Sequence, residues 1–213
     1  GLAVALFAIG GLWLGLWRGR VRLAGFIPVA AGTVLAALTP IPDLLVTGDG
    51  QQVGITMLGP DGGRRLLSLR DSSSSYTRDN LMELAGVSAE PVPLAEWEGA
   101  RCSSAFCTIT LARGGRDWVI LLGRNRIQVE ERALAAACSQ VDIVVAERFL
   151  PQSCKPRWLK ADRRYLERTG GLAINLAAEE ITSVADKQGR HGWWRQPEAD
   201  EGCLLYTSDA ADE

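Results

Sequence analysis

From Gly1 to Trp17 the chain reads GLAVALFAIGGLWLGLW without a charged residue, and from Leu23 to Pro42 it reads LAGFIPVAAGTVLAALTPIP, again uncharged. A hydrocarbon core is crossed by about 20 apolar residues, and only a helix satisfies its own backbone there, so the pattern predicts two membrane-spanning helices. A secretory leader would be one short apolar stretch after a basic start, which fits this pair poorly. The competing reading is two buried helices of a soluble domain. Gly10, Gly11, Gly15, Gly25 and Gly32 favour lipid, where small residues let helix backbones approach. Trp13 and Trp17 fall where an interfacial aromatic belt would lie.

After Pro42 the pattern changes to short apolar segments separated by turn residues. Leu44 to Thr47, Val53 to Leu58 and Arg64 to Leu69 read as strands, punctuated by Gly48-Asp-Gly50 and Pro60-Asp-Gly-Gly63. Ser74 or Ser75 can cap a helix from Tyr76 to Leu84, with Gly86 at its end. Cys107 to Arg113 and Arg116 to Leu122 flank Gly114-Gly115, which predicts a hairpin with a two-residue turn. A helix follows from Val129 to Ser139, with Glu130 and Glu131 in its first turn where the helix dipole favours acids. Val141 to Val145, Leu172 to Leu176 and Ile181 to Val184 complete the strands, and the mixture predicts an α/β domain on a mixed sheet.

Composition sharpens this division. The chain has 213 residues, 47% of them hydrophobic, and a formal net charge of −2, values that exclude a disordered or disulfide-saturated protein. Arg18, Arg20 and Arg22 crowd the turn between the two apolar runs without an acid. Short arginine-rich loops stay in the cytoplasm, which places everything after Pro42 outside it. The expected location is therefore the cytoplasmic (inner) membrane, multi-pass, with a periplasmic or other extracytoplasmic C-terminal domain. A chain that starts without Met inside an apolar run reads as a fragment of a larger polytopic protein.

Residues Cys203 to Glu213, CLLYTSDAADE, resemble the translation of a transposon-end sequencing adapter. Setting that tail aside removes three acids and moves the net charge from −2 to +1. The expected organisation is a helical hairpin over 1–42, an outer α/β domain over 43–202 and a non-native tail over 203–213. The remaining cysteines are Cys102, Cys107, Cys138 and Cys154, an even number on the oxidising side. Of three possible pairings, local spacing favours Cys102 with Cys107 and Cys138 with Cys154; zinc is the alternative, without a CxxC pair or a nearby His to favour it.

One histidine, His191, speaks against zinc hydrolysis and against a Ser/His/Asp system, and no cofactor is expected. Asp49 and Asp71 are the residues that a metal-dependent phosphodiesterase would have to use. The most suggestive charge feature is the stretch from Arg148 to Arg168, where Arg148, Lys155, Arg157, Lys160, Arg163, Arg164 and Arg168 face only Asp162 and Glu167. Such a face, carrying Trp158 and Tyr165, could contact phosphates and stack on bases. Arg157, Lys160, Arg163 and Arg164 are the DNA-binding candidates. A solvated helix face is the plainer reading, and for Trp158, beside Pro156, so is a place in the core.

Taken together, the closing apolar helices, Pro42-Asp-Leu-Leu-Val-Thr-Gly-Asp-Gly50, Arg70-Asp71, Arg78-Asp79, Ala137-Cys-Ser-Gln-Val-Asp-Ile-Val-Val145, Cys154-Lys-Pro-Arg-Trp-Leu-Lys160 and Thr169-Gly-Gly-Leu-Ala-Ile-Asn-Leu176 resemble the C-terminal part of the ComEC family, membrane proteins that form the DNA channel of natural transformation. The resemblance runs over about 200 residues. It implies a metallo-β-lactamase-like αββα domain, with an early strand pair in Val46 to Ile55, a strand ending at Asp71 and a late core strand in Val141 to Val145. The HxHxDH-type motif of the metal-bearing members is missing here. The resemblance thus implies DNA handling without catalysis, with DNA, the bilayer, other competence proteins and a second copy of the chain as partners. A nuclease and a purely structural outer domain are the alternatives.

Overall fold

A computed structural model describes residues 1–59, 61–71 and 74–189. The chain divides into two compact units, Gly1–Ile41 and Pro42–Glu213.

The first unit is a helical hairpin. α1 spans Leu2–Leu16; a 3-10 turn over Arg20–Gly25 runs on into α2, Phe26–Leu38. α1 stops where Trp17 becomes extended, and Gly19, at φ 78°, redirects the chain. The 19 residues Arg20–Leu38 are long and apolar enough to cross a membrane. The 15 residues of α1 rise only about 22 Å, short of the roughly 30 Å of a hydrocarbon core. One helix of spanning length therefore stands where two are expected from the apolar runs, because Gly1 and Trp17, the two ends of the first run, are caps rather than helix. Close packing of the pair depends on glycine. A Cβ added at Gly10 would sit 2.6 Å from Val29 Cγ2 and 2.8 Å from the Gly25 carbonyl oxygen. At the turn, Trp13 donates its indole N–H to the Val21 carbonyl at 3.0 Å and stacks on Trp17, with Arg18, Arg20 and Arg22 exposed around them.

The second unit holds two sheets. One contains β1 (Leu44–Val46), β2 (Val53–Leu58), β3 (Arg64–Ser68) and the two-residue β4 (Val92–Pro93), together with β10 (Leu172–Asn175) and β11 (Glu180–Ser183), in the order β11-β10-β1-β2-β3-β4. The other runs β5-β6-β7-β8-β9, from Ala100–Cys102, Phe106–Arg113, Arg116–Gly123, Ile143–Val145 and Leu159–Ala161. Both are mixed: β3 pairs parallel with β4, and β7, β8 and β9 pair parallel, while the other neighbours are antiparallel.

Strand alternation explains how the sheets meet. Leu44 and Val46 of β1 face the same core as Cys107, Ile109 and Leu111 of β6 and Trp118, Ile120 and Leu122 of β7. On β1 and β8 the intervening residues are covered in turn, so these strands are apolar on both faces, whereas β6 presents Thr110 and Ala112 to solvent. Leu45, Leu66 and Ala173 lie under α3 (Ser75–Ala85), through Leu81, Met82 and Ala85. Leu121 and Val144 lie under α4 (Glu131–Ser139), through Leu134 and Cys138. The order of layers is helix, sheet, sheet, helix. Two shorter helices follow, α5 (Arg163–Thr169) and α6 (Val184–Gln188).

Local signals behave as their chemistry demands. Ser74 accepts from the Thr77 N–H at the start of α3, and Gly86 ends it in the left-handed conformation at φ 62°. Gly114 and Gly115, at φ 61° and 76°, form the β6–β7 turn. Both favoured disulfides are formed. Cys102–Cys107 joins residues directly opposite in the β5–β6 register, and Cys138–Cys154 ties the end of α4 to the segment before β9.

Candidate nucleic-acid interface

The basic stretch divides around β9. On the side where β9 begins, Arg157 lies 3.7 Å from Asp142, a carboxylate only 2% exposed. Asp142 also takes a hydrogen bond from Arg116 at 2.9 Å and one from the Val119 N–H at 2.9 Å. Arg116 in turn lies 3.9 Å above the Trp118 ring. Trp158 meets Trp118 edge-on with ring centres 4.9 Å apart, so its ring belongs to the core. Arg157 is thus attached to a buried anchor that organises the sheet edge.

Lys160, in the middle of β9, reaches across to the preceding segment. Its ammonium donates to the carbonyls of Leu150 at 3.1 Å and Pro151 at 2.8 Å and stands 4.0 Å from Asp162. Asp162 caps α5 by accepting from the Tyr165 N–H at 3.1 Å and takes the Leu150 N–H at 3.3 Å. Lys160 and Asp162 therefore fix the floor of a groove of about 430 Å³, whose walls include Phe149, Arg164, Tyr165 and Arg168.

The groove's rim is different. Arg163 pairs with Glu167 at 2.7 Å one helical turn on and lies 5.4 Å from the Phe149 ring centre. Arg164 and Arg168, also one turn apart, are exposed and have no ion-pair partner among the described residues. Phe149 is 54% exposed. Next to it Arg148 lies over Phe106 and donates to the Ile127 carbonyl, while the Arg148 carbonyl accepts from the Arg163 N–H at 3.2 Å. An aromatic face, free guanidinium groups and a concave floor stand together, the parts that contact a nucleic-acid backbone and stack on its bases.

Of the four DNA-binding candidates, Arg164 stands at this groove, Lys160 lies in its floor, Arg163 is taken up by Glu167 and Phe149 outside the groove lining, and Arg157 is on the far side of β9. Phe149 and Arg168 complete the rim. Phe149 was the aromatic to notice in Arg148-Phe-Leu-Pro151, since a proline nearby and a basic neighbour keep such a ring off a regular strand.

The edge between the sheets near β1 is occupied by protein. Arg70 donates to Glu147 at 3.0 Å and to the Gly123 carbonyl at 3.2 Å, with Arg126 3.6 Å from the same carboxylate. Gly50, at φ 68°, lets the preceding loop press onto this pair: a Cβ there would be 3.2 Å from the Glu147 Cα. Asp49 accepts from its own loop, from Thr47 Oγ1 at 2.5 Å and the Gln51 N–H at 3.0 Å. Asp71 is exposed beside a small pocket that also contains Arg78 and Glu90. Among the described residues no group of three or more His, Cys, Asp or Glu is placed to hold a metal ion. His191 and Cys203 to Glu213 lie outside the described residues.

Comparison of the chain with models of known protein families, with curated proteins and with solved structures found no match.

Proposed function

We propose that this chain is part of a membrane-anchored DNA-uptake channel of the ComEC type, whose outer domain guides nucleic acid without cleaving it. The observation that carries the reading is the groove beside α5, where Arg164 and Arg168 have no ion-pair partner among the described residues and Phe149 offers an exposed ring. Arginines at such a rim neutralise phosphates, and an aromatic face stacks on any base, which suits a channel that accepts DNA of every sequence.

Three features support the setting. An apolar helix of spanning length precedes the sandwich in the sequence. The two disulfides fit an oxidising, extracytoplasmic compartment. The helix–sheet–sheet–helix layering is the arrangement that the resemblance implies for this segment. Filling of the sheet edge by Arg70 and Glu147 favours guidance over hydrolysis at that place.

The test is binding of a labelled oligonucleotide to the full chain in detergent micelles across a salt series. Arg164→Glu with Arg168→Glu is expected to weaken binding and to lower the slope of log K against log salt by about 2. An unchanged slope would assign the groove to ordinary solvated surface and leave the outer domain a structural role.

A further inference from the structure

Beside Phe149 the rim of the α5 groove is continued by Arg148. Its carbonyl accepts from the Arg163 N–H at 3.2 Å, and its guanidinium donates to the Ile127 carbonyl. One residue thus joins the start of α5 to residues 124–127, which follow β7 and precede α4. Hydrogen bonds hold this short segment in shape. Arg124 donates from its guanidinium to the Ser103 carbonyl at 2.9 Å, and Asn125 from its amide to the Ser104 carbonyl at 2.7 Å. The Ile127 N–H then donates to Asn125 Oδ1 at 3.1 Å.

Arg126 has a different standing from Arg124. Buried Glu147 offers one carboxylate to two guanidinium groups, which leaves one positive charge uncompensated. Arg70 holds the hydrogen bond at 3.0 Å, whereas Arg126 stands 3.6 Å away with its side chain 65% exposed, so the surplus cation meets solvent at Arg126. Ile127 next to it is 57% exposed. No acid occurs from residue 123 to 129 or from 148 to 161 to repel a phosphate. A pre-set segment therefore presents a cation and an apolar side chain, the pair of contacts that a sugar-phosphate strand takes.

We infer that a nucleic-acid strand seated in the α5 groove continues past Arg148 onto residues 124–127, where Arg126 takes a further phosphate and Ile127 packs against a sugar or base. This second contact rests on the reading of the groove as a nucleic-acid site. It makes affinity depend on strand length: a short strand fills the groove at Phe149, Arg164 and Arg168, and only a longer one reaches Arg126.

The test is binding of labelled oligothymidylates of about 4 and about 16 nucleotides, the range of site sizes of a small single-strand-binding domain, to the full chain in detergent micelles across a salt series. Arg126→Gln is expected to lower the slope of log K against log salt by about 0.7 for the longer strand and to leave the shorter unchanged. Arg126→Lys keeps the cation and is expected to retain the slope of the unaltered chain with both. An unchanged slope for the longer strand in Arg126→Gln, or an equal loss with both lengths, overturns the inference. If Arg164→Glu with Arg168→Glu still lowers both slopes in that case, the groove keeps its role and only the extension falls; if that pair is also without effect, the groove reading falls too. A second measurement leaves every residue native: a longer strand with a terminal aryl azide is expected to give photo-adducts within residues 124–127 on peptide mapping, and adducts confined to the α5 groove overturn the inference.

Discussion

The two sides of β9 carry the same residue type to opposite ends. Before the strand, Arg116 and Arg157 converge on buried Asp142 and belong to the architecture. After it, Arg164 and Arg168 project from α5 with no carboxylate paired to them among the described residues. Local arginine density is alike on both sides. What separates a structural arginine from an available one is the burial of the group it faces, since a sequestered carboxylate needs its cation and a solvated one does not.

Removing supports on each side should sharpen that contrast. The largest effect is expected from the covalent tie between the end of α4 and the segment before β9: Cys138→Ala with Cys154→Ala should cost about 3 kcal/mol for a loop of 16 residues, measured by urea unfolding. Asp142→Ala comes next. It leaves the Val119 N–H without its acceptor and releases Arg116, an expected loss of about 2 kcal/mol in the same assay. Arg164→Ala with Arg168→Ala should change stability by less than about 0.5 kcal/mol while weakening oligonucleotide binding. If the last pair proved as destabilising as Asp142→Ala, the two sides of β9 would not differ in the way their geometry indicates.

The smallest expected effect is a pH response in α6. The Ser183 hydroxyl and N–H both donate to Asp186, and these hydrogen bonds hold its carboxyl below the ordinary value of 3.8. A group with a lowered folded pKa stabilises above its unfolded pKa and loses that contribution as pH falls through the folded one. Amide exchange in α6, corrected for intrinsic rates, should therefore quicken below pH 3.8, and Asp186→Asn should remove the pH dependence.

Much of the second unit was legible because its signals are local. A Gly114-Gly115 pair between alternating apolar residues is a hairpin wherever it occurs, and Ser74 and Gly86 bracket α3 through backbone chemistry of their own. β5 and β9 were not legible. Ala100-Arg-Cys102 and Leu159-Lys-Ala161 are too short and too polar to announce themselves, and they are strands because β6 and β8 offer them hydrogen bonds. The candidate site shows the same limit: the basic stretch was visible, yet Lys160 in the groove floor and Arg157 on Asp142 could be distinguished from Arg164 only by their partners.

By itself, then, the sequence determined the apolar hairpin, the continuous apolar runs of β1 and β8, and the cysteine spacing that pairs neighbours. Each follows from interactions over a few residues, or from a periodicity that any fold must respect. Tertiary structure alone decided that Phe149 rather than Trp158 offers a free ring and which arginines remain available. Those outcomes depend on contacts between segments far apart in the chain, whose cost and gain no local pattern records.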